Sequence, residues 1–419
     1  MNRGFYTIMA AQFFSSLADN ALLIAAISLL AQMQSPQWMT PLLKLFFVLS
    51  YVLLAAFVGA FADSLPKGRV MFYTNLIKIV GCGMMFFGVH PLIAYAVVGF
   101  GAAAYSPAKY GILTELLPPD NLVAANGWIE GLTVASIILG TVLGGTLVNP
   151  DISAMMMALD IPLLSWIDTP TEAALSVVAV IYIIATVLNL NIKDTGARYP
   201  HQERNPAKLI VDFARCFTTL WKDKLGQISL AVTTLFWGAG ATLQFIVLKW
   251  AEKSLQMPLD KAAILQGVVA VGVAIGAVAA AHFVPLKKSL SVMPLGIAMG
   301  VVVMSMTMVH SVWVAYPLLV IIGALSGYFV VPMNALLQHR GHVLMSAGHS
   351  IAVQNFNENL SVLMMLVLYS FMVRFDLNVN IVILMFGVFV AGLMYLIMRK
   401  HTANQREHDS LALIGEHKH

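Results

Sequence analysis

The sequence predicts an all-α membrane protein with twelve transmembrane helices in two pseudo-symmetric six-helix bundles. Of its 419 residues, 59% are hydrophobic and 11% are charged, whereas a soluble domain usually has about 25% charged residues. Apolar runs of roughly 20 residues, which suffice to cross a hydrocarbon core of about 30 Å as a helix, recur along nearly the whole chain. A single long hydrophilic stretch divides these runs six and six.

Charges, prolines and polar clusters bound the apolar runs. The runs are long and continuous, unlike the short alternating segments of a transmembrane barrel. The first run contains Asp19 and is too long for the core of a removable signal, so we expect it to remain as the first helix. The predicted spans are residues 5–32, 42–63, 70–89, 92–116, 121–148, 172–192, 226–250, 261–284, 289–309, 312–337, 345–373 and 379–399.

The hydrophilic stretch sets the predicted domain boundaries. Residues 1–192 form the N-terminal bundle, 193–225 a cytoplasmic linker, 226–399 the C-terminal bundle and 400–419 a cytoplasmic tail. Most of the 24 Lys and Arg residues fall on the side of the N-terminus, and positive residues are retained in the cytoplasm. We therefore expect both termini in the cytoplasm and an inner-membrane location. The net charge of +4 is explained by this topology and by anionic lipid, without a nucleic-acid partner.

The linker contains one helical pattern. Asn205-Pro206 is typical of a helix start, and apolar residues such as Leu209, Phe213 and Phe217 follow at helical spacing, opposite polar residues. The pattern favours an amphipathic helix lying on the inner membrane surface. A soluble loop without membrane contact is the alternative.

A faint internal repeat supports the two halves. AANGWIEGLT (124–133) in the fifth span has a counterpart in AVQNFNENLS (352–361) in the eleventh, and each places an amide and a Glu on one helical face. YSPAKYG (105–111) in the fourth span corresponds to FVVPMNA (329–335) in the tenth. Two matches at equivalent places favour a duplication.

Polar residues inside the apolar runs are the candidate functional residues. An ionisable group at the bilayer centre costs at least about 2.5 to 3.5 kcal/mol, so it usually faces a cavity or a partner. In the first span Gln12, Ser15, Asp19 and their neighbours form one polar stripe, and the eleventh span repeats the arrangement around Glu358. The candidates for substrate binding or ion coupling are Asp19, Asn20, Lys109, Glu130, Gln244, Gln354, Asn357 and Glu358.

Each buried charge has two interpretations. Lys109 either binds an anionic group of the substrate or forms a salt bridge to Glu130 or Asp19 that holds helices together. For Lys78 we favour the structural salt bridge. Asp19 and Glu358 either bind the substrate or a coupling ion, or make a helix-packing or gating bond. The coupling ion is open between sodium and a proton, and the sequence predicts no resident cofactor, metal site or catalytic residue.

Small residues at four-residue spacing predict close helix packing and no chemistry. They are Gly140 and Gly144 in the fifth span, and Gly272, Gly276 and Ala280 in the eighth.

The connection after the second span resembles the signature loop of major facilitator transporters, Gly-x-x-x-Asp-Arg-x-Gly-Arg. In GAFADSLPKGRVM, the residues Gly59, Asp63, Gly68 and Arg69 match, Ser64 replaces an Arg, and the spacing is one residue longer. The resemblance implies two halves that rock about a central site, with Asp63 and Arg69 in a gating role.

Further segments resemble the bacterial lysophospholipid transporter (LplT) family of this superfamily. They are LADNALL, GAAAYSPAKYGILTEL, LFWGAG, VVPMNALLQHRG and AVQNFNEN, and the likeness covers nearly all spans. The resemblance implies alternating-access transport of lysophosphatidylethanolamine and related lysolipids from the outer to the inner leaflet of the bacterial inner membrane. There a lysophospholipid acyltransferase partner would re-acylate them. It also implies that Asp19, Lys109 and Glu358 line the central cavity, whereas Gln244 stands where the family often has Arg.

Other functions make different demands on the sequence. A major facilitator transporter for a drug or another amphipathic molecule would share this layout. A membrane-bound acyltransferase would need a His-x-x-x-x-Asp dyad, and none of the 11 histidines has Asp five residues later. The sequence therefore does not predict an enzyme. A non-transporting scaffold would leave the buried charges in several helices unexplained.

Overall fold

The structure is a computed structural model that describes residues 3–36, 39–158, 167, 169–257, 259–375, 377–407 and 410–414. Within these residues the regular structure is helical, without strands. Short 3₁₀ helices occur at Pro119–Asn121, Leu286–Val292, Ser305–Met308 and Ser410–Leu413. The α-helices are α1 (Arg3–Gln32), α2 (Met39–Leu53), α3 (Ala55–Ser64), α4 (Lys67–Phe86), α5 (Pro91–Leu116), α6 (Leu122–Leu147), α7 (Pro150–Met157), α8 (Pro170–Leu190), α9 (Pro206–Lys222), α10 (Gly226–Ser254), α11 (Leu259–Phe283), α12 (Met293–Met304), α13 (Val312–Leu344), α14 (Ala347–Arg374) and α15 (Val379–Glu407).

The predicted spans correspond to these helices. Ten helices of the described chain are long and apolar enough to cross a membrane, and α2 with α3, bent by 67°, makes an eleventh when the pair is counted as one broken span. The twelfth segment is α4, whose Lys67, Arg69 and Lys78 make it less apolar than the others. The bend lies inside the predicted span 42–63, and no Gly or Pro lies within four residues of it. The all-α membrane fold is confirmed.

Many large apolar side chains point outward from the helices. Val80 is 58% exposed, Val278 64% and Val388 61%. Apolar surface of this extent is unfavourable in water at about 25 cal/mol per Å², whereas lipid chains accept it. The chain is therefore a multi-pass membrane protein.

The chain forms two compact units. The first comprises Met1–Leu116 and Ala135–Val211, and the second comprises Leu117–Val134 and Asp212–His419. Both α6 and α9 thus contribute to each unit. The domain boundaries drawn from the sequence stay predictions.

In the first unit, α1 packs on α8, α4 packs between α5 and α8, and α2 packs on α5. Gly140 and Gly144 of α6 permit a close approach to α1. A Cβ at Gly140 would lie 2.6 Å from the carbonyl oxygen of Leu17, and one at Gly144 would lie 2.9 Å from that of Ala21. The predicted packing role of these glycines is confirmed.

In the second unit, α11 packs on α13, α12 on α15 and α10 on α14. The α11–α13 contact brings two backbones together. A Cβ at Gly272 would lie 2.4 Å from the Val320 carbonyl oxygen, and one at Gly276 would lie 2.0 Å from that of Ala324. The small face predicted on the eighth span is therefore a helix-packing face.

The predicted amphipathic helix of the linker is present as α9. Its aromatic side, however, contacts protein. The rings of Phe213 and Phe217 lie edge to face with Phe356 of α14, at centroid distances of 5.4 and 6.1 Å. Part of the face that we expected on the membrane surface is thus covered by the second unit.

The last helix is longer than predicted. The sequence places a tail at 400–419, but α15 continues to Glu407 because the residues after the apolar run favour helix. Positions 408–409 and 415–419 of that tail lie outside the described residues.

Candidate functional site

A buried ion pair lies at the centre of the first unit. Lys78 Nζ of α4 is 2.7 Å from Asp19 Oδ2 of α1, and the two side chains are 2% and 16% exposed. The Tyr182 hydroxyl of α8 donates to Asp19 Oδ1 at 2.6 Å, and Lys78 also donates to the Ser15 hydroxyl at 2.9 Å. Because α1 and α4 both pack on α8, three helices meet at the Asp19 carboxylate. The predicted structural salt bridge of Lys78 is confirmed, with Asp19 as its partner.

Unused donors surround this pair. Gln12 Nε2, Asn75 Nδ2 and the Tyr105 hydroxyl are buried and have no hydrogen-bond partner among the described residues. The Tyr105 ring lies 4.9 Å from Lys78 Nζ, a favourable cation–π distance. Asn75 Oδ1 accepts a hydrogen bond from the Ser15 hydroxyl at 2.8 Å. The cluster can therefore donate further hydrogen bonds to oxygen atoms of water or of a ligand.

The other two candidates in this unit are half-buried. Lys109 Nζ lies 4.2 Å from the centroid of the Tyr110 ring, and Lys109 sits about 10 Å from the end of α5 at 1.5 Å per residue. Asn20 donates from Nδ2 to the Ser16 carbonyl oxygen at 2.8 Å. Lys109 thus presents a half-buried cation on a largely apolar helix.

In the second unit, Glu358 belongs to a buried network on α14. Gln354 Nε2 donates to Glu358 Oε1 at 2.8 Å and to Asn334 Oδ1 of α13 at 3.0 Å. The Thr233 side chain of α10 and the Glu130 carboxyl lie close enough to interact with Glu358 electrostatically. Gln354, Glu358 and Glu130 therefore belong to one polar region of the second unit.

Two amides link α6 to α13 beside this network. Asn126 Nδ2 donates to Gln338 Oε1, and Gln338 Nε2 donates to Asn126 Oδ1, both at 2.9 Å. Asn357 donates to the Val353 carbonyl oxygen at 2.8 Å, and its Oδ1 accepts from Trp221 Nε1 of α9 at 3.3 Å. Asn357 is thereby connected to the linker helix.

Gln244 is not part of this region. Its side chain is exposed on α10, and its carbonyl oxygen accepts a hydrogen bond from Gln266 Nε2 at 2.6 Å. At this position the chain therefore presents an exposed amide.

A second buried charge cluster lies at the linker end of the first unit. Lys67 Nζ is 2.6 Å from Asp63 Oδ1 and 3.5 Å from Glu115 Oε1. The linker residues Thr195 and Tyr199 donate to the same Glu115 carboxylate at 2.7 and 2.9 Å. This cluster holds the start of the linker against α3, α4 and α5.

Sequence reasoning missed Lys67, Glu115 and Tyr199. We had assigned the gating role to Asp63 and Arg69, but the buried salt bridge of Asp63 is with Lys67, and the Arg69 side chain is exposed. Asp63 and Lys67 are four residues apart, but they lie on two different helices, because α3 ends at Ser64 and α4 begins at Lys67. Helical spacing therefore could not predict their salt bridge, and the contacts to Glu115 join still more distant parts of the chain.

The start of the linker also forms a tight turn. Arg198 donates from Nη2 to Asp194 Oδ2 at 2.6 Å, and the Gly196 amide donates to Asp194 Oδ1 at 2.9 Å. These hydrogen bonds, above all those from Arg198, lower the pKa of Asp194 to about 2. The turn orients Thr195 and Tyr199 toward Glu115.

The second unit has a comparable contact where α10 begins. Arg340 of α13 binds Asp223 through two hydrogen bonds, Nε to Oδ2 at 3.0 Å and Nη2 to Oδ1 at 2.9 Å. Asp223 also accepts a hydrogen bond from the amide of Gly226, the first residue of α10, at 2.8 Å. Across the described residues, no group of His, Cys, Asp and Glu is arranged to hold a metal ion.

The fold and these buried charges define a class of protein. The model of the Major Facilitator Superfamily matches residues 8–362, and the chain therefore belongs to this superfamily of membrane transporters. A bacterial homologue of the iron transporter ferroportin, in an outward-facing crystal structure, covers 96% of this chain and 100% of its own at a TM-score of 0.70 and 14% identity. The E. coli fucose:proton symporter covers 95% of this chain and 98% of its own, at a TM-score of 0.73 and 12% identity. These low identities show the fold alone.

Relatives of higher identity share one name. The lysophospholipid transporter LplT of Yersinia enterocolitica is 43% identical over 381 residues, which cover 90% of this chain and 89% of the relative. The lysophospholipid transporter LplT of Yersinia pestis is 43% identical over 376 residues, which cover 89% of this chain and 88% of the relative. Within the superfamily, this chain is a member of the family of these transporters.

Proposed function

We propose that this protein transports lysophosphatidylethanolamine and related lysolipids from the outer to the inner leaflet of the bacterial inner membrane by alternating access. The observation that carries the proposal is the 43% identity to lysophospholipid transporters over about 90% of both chains. The product would become the substrate of a lysophospholipid acyltransferase. The distribution of Lys and Arg supports an inner-membrane location with both termini in the cytoplasm.

The chemistry of a lysolipid fits the polar and apolar parts of the helices. The phosphodiester is anionic, and the Lys109 ammonium supplies a point charge whose attraction is stronger in low dielectric than in water. The single acyl chain needs apolar helix surface, where burial contributes roughly 0.8 kcal/mol per methylene. Recognition should therefore require a phosphate and one tail, with loose discrimination between headgroups.

The buried carboxylates are the proposed coupling groups. Asp19 and Glu358 would bind a proton or a sodium ion, and Asn20, Glu130, Gln354 and Asn357 would supply neighbouring polar contacts. Gln244 would contribute least, because its side chain is exposed away from the others. The gating role of Asp63 and Arg69 stays a prediction, supported for Asp63 by its buried salt bridge to Lys67.

Binding of trimmed ligands tests the proposed substrate class. The purified protein in lipid nanodiscs is titrated with labelled lysophosphatidylethanolamine, and four unlabelled competitors are compared. We expect lysophosphatidylethanolamine and lysophosphatidylglycerol to compete. Glycerophosphoethanolamine lacks the tail, and monoacylglycerol lacks the phosphate, so both should fail. Competition by monoacylglycerol as strong as by the lysolipids would instead favour a transporter of amphipathic molecules in general.

The proposed role of Lys109 is tested by Lys109→Gln, with Lys249→Gln on the exposed side of α10 as the matched control. We expect Lys109→Gln to weaken lysolipid binding about tenfold or more, as expected for loss of a charge-assisted hydrogen bond of about 1.5 to 3 kcal/mol. Lys249→Gln should bind as the wild type does. Thermal stability is measured for both variants. Unchanged affinity in a folded but destabilised Lys109→Gln protein would assign Lys109 to helix bracing.

A further inference from the structure

We propose that α9 is a docking surface for anionic phospholipid headgroups. One side of the helix contacts the second unit through its aromatic residues, and Leu220 is fully buried there. The next side is an apolar strip that nothing in the described structure covers. It consists of Ala207, Ile210, Val211 and Ala214, with Ile210 53% and Val211 58% exposed.

The position of α9 puts this apolar strip at the level of the membrane boundary. Leu220 packs in one cluster with Leu230, Leu337 and Val353. At 1.5 Å per residue these three residues lie about 6, 10 and 9 Å inside the ends of α10, α13 and α14. A helix that packs one to two turns inside the ends of membrane-spanning helices borders on lipid headgroups and not on bulk water.

The charges beside the apolar strip select anionic lipid. Helical spacing places Lys208, Arg215 and Lys222 along one edge of the strip. We call these three residues the basic edge. The helix has three basic residues against one acidic residue, Asp212. Each basic residue near an anionic membrane strengthens attraction about fivefold. A protein partner with an acidic apolar groove is the rival occupant.

The ion pairs of the basic edge are exposed and exchangeable. Lys208 lies 3.2 Å from Glu203, and Arg215 lies 3.1 Å from Asp212. The Lys208 and Arg215 side chains are 67% and 73% exposed, so lipid phosphates can replace these partners at little cost. Lys222 is also exposed.

Docking at α9 would act on α14. Trp221 donates to Asn357, and Phe213 and Phe217 pack on Phe356. A lipid layer that holds α9 in place therefore stabilises the helix that carries Glu358. This inference stands apart from the proposed substrate, because it concerns a surface and not the transported molecule.

An environment-sensitive fluorophore on α9 tests the inference without a transport assay. The full chain, with Cys82 and Cys216 replaced by Ala, receives Val211→Cys in the apolar strip or, as the control, His201→Cys, which is exposed in the linker before α9. Each labelled protein is reconstituted in phosphatidylcholine vesicles with or without phosphatidylglycerol. We expect phosphatidylglycerol to shift the emission of the probe at position 211 to the blue and to protect it from iodide, with no change at position 201. Raising salt from 0.1 to 1 M, which shortens the Debye length from about 10 to 3 Å, should reverse the shift.

The second arm removes the basic edge by Lys208→Gln, Arg215→Gln and Lys222→Gln together. These side chains are exposed, so thermal stability should be retained, and the response to phosphatidylglycerol should be lost. A probe at position 211 that is as accessible to iodide as the one at 201 in both lipids would overturn the proposal and leave a protein partner as the occupant. So would a response to phosphatidylglycerol that persists in the triple variant.

Discussion

At the scale of single residues, burial and pairing decide what each charge can do. Asp19 and Lys78 satisfy one another inside the first unit, together with Tyr182 and Ser15. A buried pair of this kind contributes little net stability relative to apolar residues, but removing one partner leaves an uncompensated charge. Asp19 therefore stabilises its unit as well as being a proposed coupling group.

A double-variant cycle separates these two roles. Lys78→Met alone and Asp19→Asn alone should each destabilise the protein by about 3 to 5 kcal/mol, because each change leaves the other partner as an unpaired buried charge. The double variant should be less destabilised than the sum of the two. Thermal unfolding in detergent micelles gives the stabilities. Strictly additive effects would contradict the pairing, and normal transport by a stable double variant would remove Asp19 from the coupling mechanism.

The sequence could locate the buried charges but not their partners. The stripe around Asp19 and its likeness to the one around Glu358 follow from helical spacing, which is local. Whether Asp19 meets Lys78 or Lys109 depends on which helix faces touch, and that is set by packing along the whole unit. Lys67 and Glu115 were missed for the same reason.

At the scale of helices, small residues determine how closely neighbours pack. The α11–α13 contact brings Gly276 so close to Ala324 that a single methyl group would overlap the backbone. Gly267, on the same helix, has no atom within 4 Å of its added Cβ position. The pair of glycines therefore offers a matched test of packing.

Gly276→Ala should destabilise the protein by about 1 to 3 kcal/mol, because the clash is with backbone that cannot move aside like a flexible side chain. Gly267→Ala should be neutral or stabilising by about 0.5 to 1 kcal/mol, since Ala favours helix more than Gly does. The apparent melting temperatures of both variants check this difference. Equal melting temperatures would mean that the two helices are not in such close contact.

The start of the linker is held by hydrogen bonds to one carboxylate, that of Glu115. Tyr199→Phe removes the hydrogen bond to Glu115 and keeps the ring near Lys67, 4.9 Å from its Nζ. We expect a local loss of about 1 kcal/mol and faster hydrogen exchange across residues 194–204. Tyr395→Phe, exposed on α15, serves as the control. Exchange in the linker that does not differ between the two variants would argue against this attachment.

Helix existence was predictable, but details of shape were not. Long apolar runs identify membrane helices because nothing else satisfies the backbone in lipid. The 67° bend between α2 and α3 occurs without a local Gly or Pro that would have predicted it. The amphipathic pattern of α9 predicted a helix, yet periodicity alone could not say that its aromatic side would cover α14 and not lipid.

At the scale of the whole molecule, the fold defines a transporter class and the family narrows the substrate. Many transporters share this fold, so the architecture by itself does not distinguish a lipid from a sugar. The substrate proposal depends on relatives of 43% identity and on the chemistry of the half-buried Lys109 ammonium on a largely apolar helix. A direct transport measurement therefore distinguishes these substrates, which the fold does not.

The most direct test follows labelled lysophosphatidylethanolamine into spheroplasts that lack any other lysolipid transporter. Lipid in the outer leaflet is extracted by albumin, whereas lipid moved to the inner leaflet is protected. With this protein present, the protected fraction should rise with time for lysophosphatidylethanolamine and not for doubly acylated phosphatidylethanolamine, and Glu358→Gln at equal abundance should abolish the rise. A protected fraction no larger than in spheroplasts without the protein would contradict the proposed function.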